Sequence, residues 1–361
     1  MNRILKQILL FLSGLIFLIG CTHEEVKECT SGIRLNFEFL VHTDQGNRFA
    51  EDVQVVKVYL FDSNDLLCKI QSESGAVLKN DYIMTIDVPP GKYTIIAWGG
   101  SHTDFNNSFH EGHMNDPVTH DYVRGVTEGK TTLEDFRIFL NYNLADDYPE
   151  DAVPAIDHFD DLFYGAVGEK PLNSPKFIME RVEVKSGMIE NRKVQMIRNT
   201  NVFKVMITGL KYFNNNIDLL KSEKLNVWAS ARNARFRYDN SIGEYARMVR
   251  YTRFFTQTDS DTLFVDIKTL RLDMIRHTAD PVFLQFEEIS SGAVYPDKPL
   301  DILNLLLQAR NPETGEYIYQ TQEDLDRIYE HPVRIDVSAD LHMRIYIHDW
   351  EVIDLIPDLG I

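Results

Sequence analysis

The chain has 361 residues, 44% hydrophobic and 25% charged, a composition with enough apolar material for globular domains. Acidic side chains outnumber basic ones by 55 to 37, giving a formal net charge of -18, and no long Lys/Arg run occurs, which argues against a nucleic-acid partner held by phosphate contacts. At this length a single core usually splits, so two domains of ~150 to 170 residues are expected.

At the amino end Arg3 and Lys6 supply a positive region and residues 8–19 an apolar one. Leu18-Ile19-Gly20-Cys21 then places a small residue and a cysteine where a bacterial lipoprotein is cut and acylated. The apolar run is too short for a bilayer, which needs ~20 residues. The segment resembles a lipoprotein signal peptide, with cleavage between Gly20 and Cys21 and lipid on Cys21. A plain secretory signal and an N-terminal anchor helix are the competing readings. No later stretch approaches ~18 uninterrupted apolar residues, so the body is expected to hang from its lipid. Thr22 follows Cys21 where an Asp would favour inner-membrane retention, and the outer membrane is the expected destination. Cys29 and Cys68 are the remaining thiols in a chain that reaches an oxidising compartment. They permit one disulfide, and two unpaired thiols are the alternative, because sequence does not show that they meet.

The body reads as β-rich. Apolar residues alternate with polar ones over 33–41, and β-branched and aromatic residues fill 53–61 before the turn Asp62-Ser63-Asn64-Asp65. Residues 82–88, the turn Pro89-Pro90-Gly91 and residues 93–98 are expected to form a hairpin. Residues 101–160 are rich in Asn, Asp, His and Pro and read as long connections with short strands such as 137–140. Alternation returns at 181–185 and 194–197, and the run 201–210 opens a second domain. Further strands are expected at 225–229, 235–238, 262–267, 282–286, 333–338 and 343–353. Two helices are expected, a buried one at 301–309 with an aspartate near its start and an amphipathic one at 323–329 after a Thr321 cap. Many short strands with few helices predict an all-β chain of antiparallel sandwiches, with the boundary near 186–200.

Catalytic signatures are absent: no nucleophile elbow, phosphate loop or dinucleotide fingerprint occurs. His110-Glu111-Gly112-His113 spaces its histidines at i and i+3, short of the helical i, i+4 arrangement that binds zinc. His102, His110, His113 and His120, with Asp104, Glu111, Asp116 and Asp121 among them, are read as a solvated polar loop in preference to a metal site. Asp146, Asp147, Glu150 and Asp151 lack the calcium-loop order and read as a surface turn. Trp98 and Trp350 sit at strand ends and are expected to pack in the core. Neither a cofactor nor a metal is expected.

Taken in order, the lipobox, Cys29, Val58-Tyr59-Leu60-Phe61-Asp62, Val88-Pro89-Pro90-Gly91-Lys92-Tyr93 leading to Trp98-Gly99-Gly100, Asp161-Leu162-Phe163-Tyr164-Gly165, Asn201-Val202-Phe203-Lys204-Val205 with Gly209-Leu210, and Asp349-Trp350 resemble the fimbrial anchor and assembly lipoproteins of the Bacteroidia. Glu24 and Glu25 are similar to the acidic tag on surface-exported lipoproteins of that group. The resemblance implies two tandem transthyretin-like sandwiches with long loops and a few short helices. These would follow a signal peptide (1–20) and a lipidated stem (21–31), as an N-terminal domain (32–190) and a C-terminal domain (191–361). It implies a non-enzymatic surface protein that anchors a fimbrium in the outer membrane and limits its length by β-strand pairing with stalk or accessory subunits. Two alternatives stay open: a stalk or tip subunit cut after Arg48 in the loop Gly46-Asn47-Arg48-Phe49, and a surface glycan-binding lipoprotein.

Overall fold

Alternation in the first apolar segment becomes strand β1 (Gly32–Phe39), in which Ile33, Leu35 and Phe37 are fully buried while Arg34 and Asn36 face outward. The computed structural model describes residues 31–40, 46–79, 81–116, 121–142, 153–212, 225–243, 246–259, 261–289, 292–340 and 342–355. The first half continues with helix α1 (Phe49–Asp52) and strands β2 (Val55–Phe61), β3 (Leu67–Ser74), β4 (Ile83–Asp87), β5 (Gly91–Gly100), β6 (Phe109–Asp116), β7 (Asp121–Arg124) and β8 (Phe136–Leu140). Next come β9 (Ala155–Ile156), β10 (Leu162–Ala166), β11 (Gly168–Glu169), β12 (Ile178–Met179), β13 (Arg181–Val184) and β14 (Ile189–Arg198). The second half holds β15 (Thr200–Thr208), β16 (Leu225–Ala231), β17 (Arg235–Arg237), β18 (Val249–Asp259), β19 (Thr262–Leu270), β20 (Phe283–Glu288) and β21 (Ala293–Asp301). It ends with helices α2 (Ile302–Gln308) and α3 (Gln322–Arg327) and strands β22 (Glu330–Val337), β23 (Met343–Ile347) and β24 (Trp350–Leu355).

The chain is all-β, and each half is a sandwich. In the first, the path β3-β2-β5-β10-β14-β1-β4, with β13 beside β5, folds over one core. In the second, β21-β20-β16-β18-β19-β15-β22-β23-β24 does the same, with β9 beside β18. The chain leaves the first sheet and enters the second at Asn199, between β14 and β15. Most pairs are antiparallel, but the opening strand of each half has one parallel neighbour: β1 lies parallel to β14, and β15 parallel to β22. That shared arrangement is the internal repetition of the fold.

Three sequence expectations change. The segments around Pro89-Pro90 are not a hairpin: β4 pairs with β1, while β5 pairs with β2, β10 and β13. Two consecutive prolines offer no N–H to close a hairpin ladder, so β4 and β5 take separate, non-adjacent places in the same sheet, with Met84 and Ile86 sharing the first core with Ile95 and Ala97. Of the histidines read as a polar loop, His110 and His113 lie in strand β6, in a four-stranded sheet ordered β17-β8-β6-β7. The two halves also do not keep separate cores, since the larger apolar cluster runs from Tyr59, Trp98 and Phe136 of the first into Phe203, Phe236 and Val265 of the second.

Both expected helices form where their caps predict. The Asp301 carboxylate accepts from Asn304 N at 3.1 Å, starting α2 with Ile302, Leu303, Leu305 and Leu306 buried. Thr321 and Asp324 make a reciprocal capping box at α3. Trp98 is fully buried, edge-on to Tyr164 at 4.7 Å.

Because Phe37 is fully buried and stacks on Phe49 at 5.2 Å, Phe37→Ala should cost about 3–5 kcal/mol. The exposed neighbour Arg34→Ala should stay within about 0.5 kcal/mol, both read by urea unfolding of the soluble body.

Candidate functional site

The resemblance places the functional weight on the first strand and on whether its slot is closed. β1 is paired on both sides: eight register positions join it to β14, from Gly32 with Ile189 to Phe39 with Met196, and five join it to β4, from Gly32 with Asp87 to Asn36 with Ile83. Its inward residues Ile33, Leu35, Phe37 and Phe39 fill the first core. At ~1.5–3 kcal/mol for each fully buried side chain, this face contributes on the order of 6–12 kcal/mol of apolar burial. A cut in the loop after β1 would therefore not by itself empty the slot.

That loop is pinned to the strand it follows. The Asn47 side-chain oxygen accepts from Phe39 N (2.9 Å) and Phe49 N (3.0 Å), and its amide nitrogen donates to Phe37 O (3.1 Å). Arg48 N donates to Phe39 O at 2.9 Å. The Arg48 guanidinium donates to both carboxylate oxygens of Asp52, at 2.9 and 3.0 Å, and these hydrogen bonds raise its pKa above the ordinary arginine value. Arg48 stands at the position before α1 with its side chain tied to Asp52, and Phe49 after it is fully buried. Residues 41–45 between β1 and this loop lie outside the described residues.

A buried polar seam joins the two halves. The Asn199 amide nitrogen donates to Asn240 Oδ1 at 2.6 Å, and Asn240 returns a bond of 3.2 Å from a left-handed backbone with φ of 69°. Arg271 donates through Nη1 to the carbonyls of Pro175 (2.8 Å) and Asn240 (3.2 Å), and through Nε and Nη2 to the two oxygens of Asp326 (2.8 and 2.6 Å). Asp326 also accepts from Gln322 at 3.0 Å and pairs with Lys170 at 2.9 Å. Burial pushes the Asp326 carboxyl up, but Arg271 and then Lys170 outweigh it and hold the pKa below the usual carboxylate range. Nearby, Asp161 pairs with Arg198 (2.9 Å) and Lys268 (3.0 Å) and accepts from Thr200 (2.9 Å). It is shifted down in the same way, against the upward push of burial.

A second polar chain runs through the second half. His331 Nε2 donates to Asn201 Oδ1 at 3.0 Å, which leaves Nδ1 to accept from Tyr319 Oη at 2.7 Å. Tyr319 in turn accepts from His348 Nε2 at 2.7 Å. Burial, aided by His348, lowers the His331 pKa to about 3, so the ring is neutral at physiological pH.

Gly20, Cys21 and Cys29 lie outside the described residues, as do His120 and the acidic group at 146–151. Cys68 stands in β3, half-buried, its thiol donating to Leu60 O at 3.3 Å and pushed up to about 11 by burial. The strand geometry of β6 separates the His-Glu-Gly-His motif. Glu111 turns inward to accept from Lys57 and from Tyr59 (2.6 Å), whereas His110 turns to the opposite face and stacks on Phe139 at 5.1 Å. Among the described residues no three His, Cys, Asp or Glu side chains converge. The seam residues Asn199, Asn240, Arg271 and Asp326 were missed by sequence reading; an Asn able to take left-handed backbone was the one available signal at Asn240.

Solved fimbrial and adhesin structures share this fold. The fimbrial anchor protein Mfa2 from Porphyromonas gingivalis superposes with a TM-score of 0.63 at 16% identity, covering 90% of this chain and 99% of that one. A candidate polysaccharide-binding protein from Bacteroides thetaiotaomicron gives 0.66 at 20% identity (89% and 96% covered), and a candidate adhesin from Bacteroides ovatus 0.66 at 19% (93% and 98%). At these identities the likeness is one of fold. The sequence model of the fimbrillin-A associated anchor proteins Mfa1 and Mfa2 matches residues 25–355, and the chain belongs to that family. A search of curated proteins finds no match.

Asp326→Asn should destabilise the protein by about 3–5 kcal/mol in urea unfolding, because it leaves Arg271 and Lys170 buried without their anion. His331 makes acid a separate stress. Its folded pKa lies below the ordinary ~6.5, so stability is full above that pH and is lost as pH falls toward the folded value of about 3. The loss should reach about 2 kcal/mol by pH 5. His331→Gln should be less stable at neutral pH and show a flatter stability profile over that window, read by denaturant unfolding at each pH.

Proposed function

We propose that this fimbria-associated protein is a lipid-anchored outer-membrane subunit that holds a fimbrium at its base and limits its length through main-chain strand pairing with a stalk subunit. The observation that carries the reading is the occupied slot of β1. The strand that would have to leave for a neighbour's strand to enter is paired along both edges and supplies a face of the first core. The stem before it leads back to Cys21, so β1 is both the body's own first strand and the link to the lipid. A subunit whose slot is filled by a covalently attached strand accepts no donor there, and growth ends at it.

Arg48 supports retention of that strand. Proteases bind their substrates extended, and here the Arg48–Phe49 bond opens a helix, with the arginine held by Asp52 and the phenylalanine in the core. Pairing with a stalk subunit has an edge strand elsewhere: among the described residues β24 has a single strand neighbour, β23. A Cys29–Cys68 bridge, if formed, would tie the stem to β3.

Cys21→Ala should move the protein from the membrane fraction to the soluble one. Cells lacking the protein should shed fimbriae into the medium or make longer ones. Loss of all fimbriae in the deletion strain would instead identify a stalk subunit. A surface form whose amino terminus is Phe49 would overturn the anchor role.

A further inference from the structure

A cleft of about 880 Å³ opens on the outer side of the four-stranded sheet, and neither the seam nor the β1 slot uses it. Its walls come from separate stretches of chain: the turn before β6, strands β6, β7 and β8, residues 155–158 around β9, and Arg235 of β17. Its volume falls within the range of small-molecule sites.

The floor is aromatic. His110 stacks on Phe139 with the planes 10° apart, and Tyr122 meets Phe139 edge-on at 5.5 Å. The Arg235 guanidinium lies 3.7 Å from the Tyr122 ring centre and 5.3 Å from that of Phe139. Gly112 makes this floor possible, since a Cβ there would come within 2.6 Å of the Phe139 ring and 2.7 Å of Val123 O. The floor is also locked. The Asn141 side-chain oxygen accepts from His110 Nδ1, and its amide nitrogen donates to Asn106 O at 2.6 Å. His110 therefore keeps its proton on Nδ1 and presents Nε2 as an acceptor, and burial lowers its pKa, so it stays neutral near pH 7.

The rim is polar and exposed. Asp157 and His158 make no hydrogen bond or ion pair among the described residues, and Asn106 and Arg124 are exposed beside them. Charge is balanced, with Arg124 and Arg235 set against Asp104 and Asp157. A polyanion would meet the two carboxylates and a polycation the two guanidinium groups. A pyranose fits both features, because its C–H face packs on aromatic rings while its edge hydroxyls both donate and accept to planar amides and carboxylates.

We propose that this cleft binds a neutral oligosaccharide, with a sugar ring packed on the Tyr122–Phe139–His110 floor and its hydroxyls held by Asn106, Asp157 and Arg124. The binding is independent of anchoring, and it gives a subunit at the fimbrial base a contact with surface polysaccharide.

Calorimetric titration of the soluble body with maltotetraose, mannotetraose and chitotetraose tests this. At least one should bind with a dissociation constant in the millimolar range or tighter. Asp157→Ala and Asn106→Ala, both at exposed positions, should weaken it about tenfold without lowering the melting temperature, and Tyr122→Ala should do so at least as strongly. Arg34→Ala on the far sheet should leave it unchanged. Lack of binding by all three sugars, or undiminished binding by all three cleft variants, would overturn the proposal. So would tighter, steeply salt-dependent binding of heparin, which would mark a polyanion site.

Discussion

Strands β2, β5 and β10 have an apolar core on each face, and the placement of everything else follows from the need to cover both. On one side Val56, Val58, Leu60, Ile95, Ala97 and Phe163 fill the first sandwich. On the other, Val55, Tyr59, Phe61, Ile96, Trp98 and Tyr164 form an apolar surface as large, which needs a cover of its own. The four-stranded sheet supplies part of it through Phe109, Phe136 and Ile138, and the second half supplies the rest. Because β17 pairs with β8 and β9 with β18, the two halves are also stitched by main-chain bonds across that cover. The side chains at this junction are the heavy aromatics, each burying on the order of 150–250 Å², so the junction behaves as interior and not as a contact between independent bodies.

Apolar cover alone leaves the angle between the halves loosely specified, and the polar seam narrows it. Asp326 of α3 is bonded by groups from two distant segments, Arg271 after β19 and Lys170 after β11, and by Gln322 one turn earlier on its own helix. Such a buried pair adds little net stability against a well-packed apolar replacement, yet stranding one partner is costly. The arrangement that satisfies every group is therefore strongly preferred over neighbouring ones. Asn199 adds to this at the point where the chain changes sheets, since its backbone donates to Leu162 O at 2.6 Å while its side chain holds Asn240.

Edge strands are where a protein that assembles by strand pairing must differ from one that must not aggregate. In the first sandwich the two edges are bridged by side chains: Lys69 of β3 donates to Asp87 O of β4 at 2.7 Å, and Gln71 donates to Thr85 O at 3.1 Å. Carbonyls that would template another strand are occupied. The second sandwich has β21 and β24 at its two ends, each with a single strand neighbour among the described residues.

Much of this was legible in residues alone. Period-two alternation marked β1, because one apolar face per strand is a local property, and a β-branched and aromatic run marked β2. Asp301 and Thr321 marked two helices, because a cap bonds within its own turn. The lipobox and the ordered motifs pointed to the fimbrial family for the same reason. Pairing partners were not legible. Nothing local distinguishes a hairpin at Pro89-Pro90 from a crossover, or reveals that β1 lies parallel to β14 some 150 positions away. Polar composition hid β6, whose inward Glu111 is matched by Lys57 and Tyr59 of β2. The seam and the cleft are likewise meetings of distant segments. The sequence by itself determined which residues are apolar, where turns and caps fall, and which faces need burial. Only the tertiary structure decided what covers each face, because burial free energy is indifferent to which surface supplies the cover until geometry and polar pairing choose one.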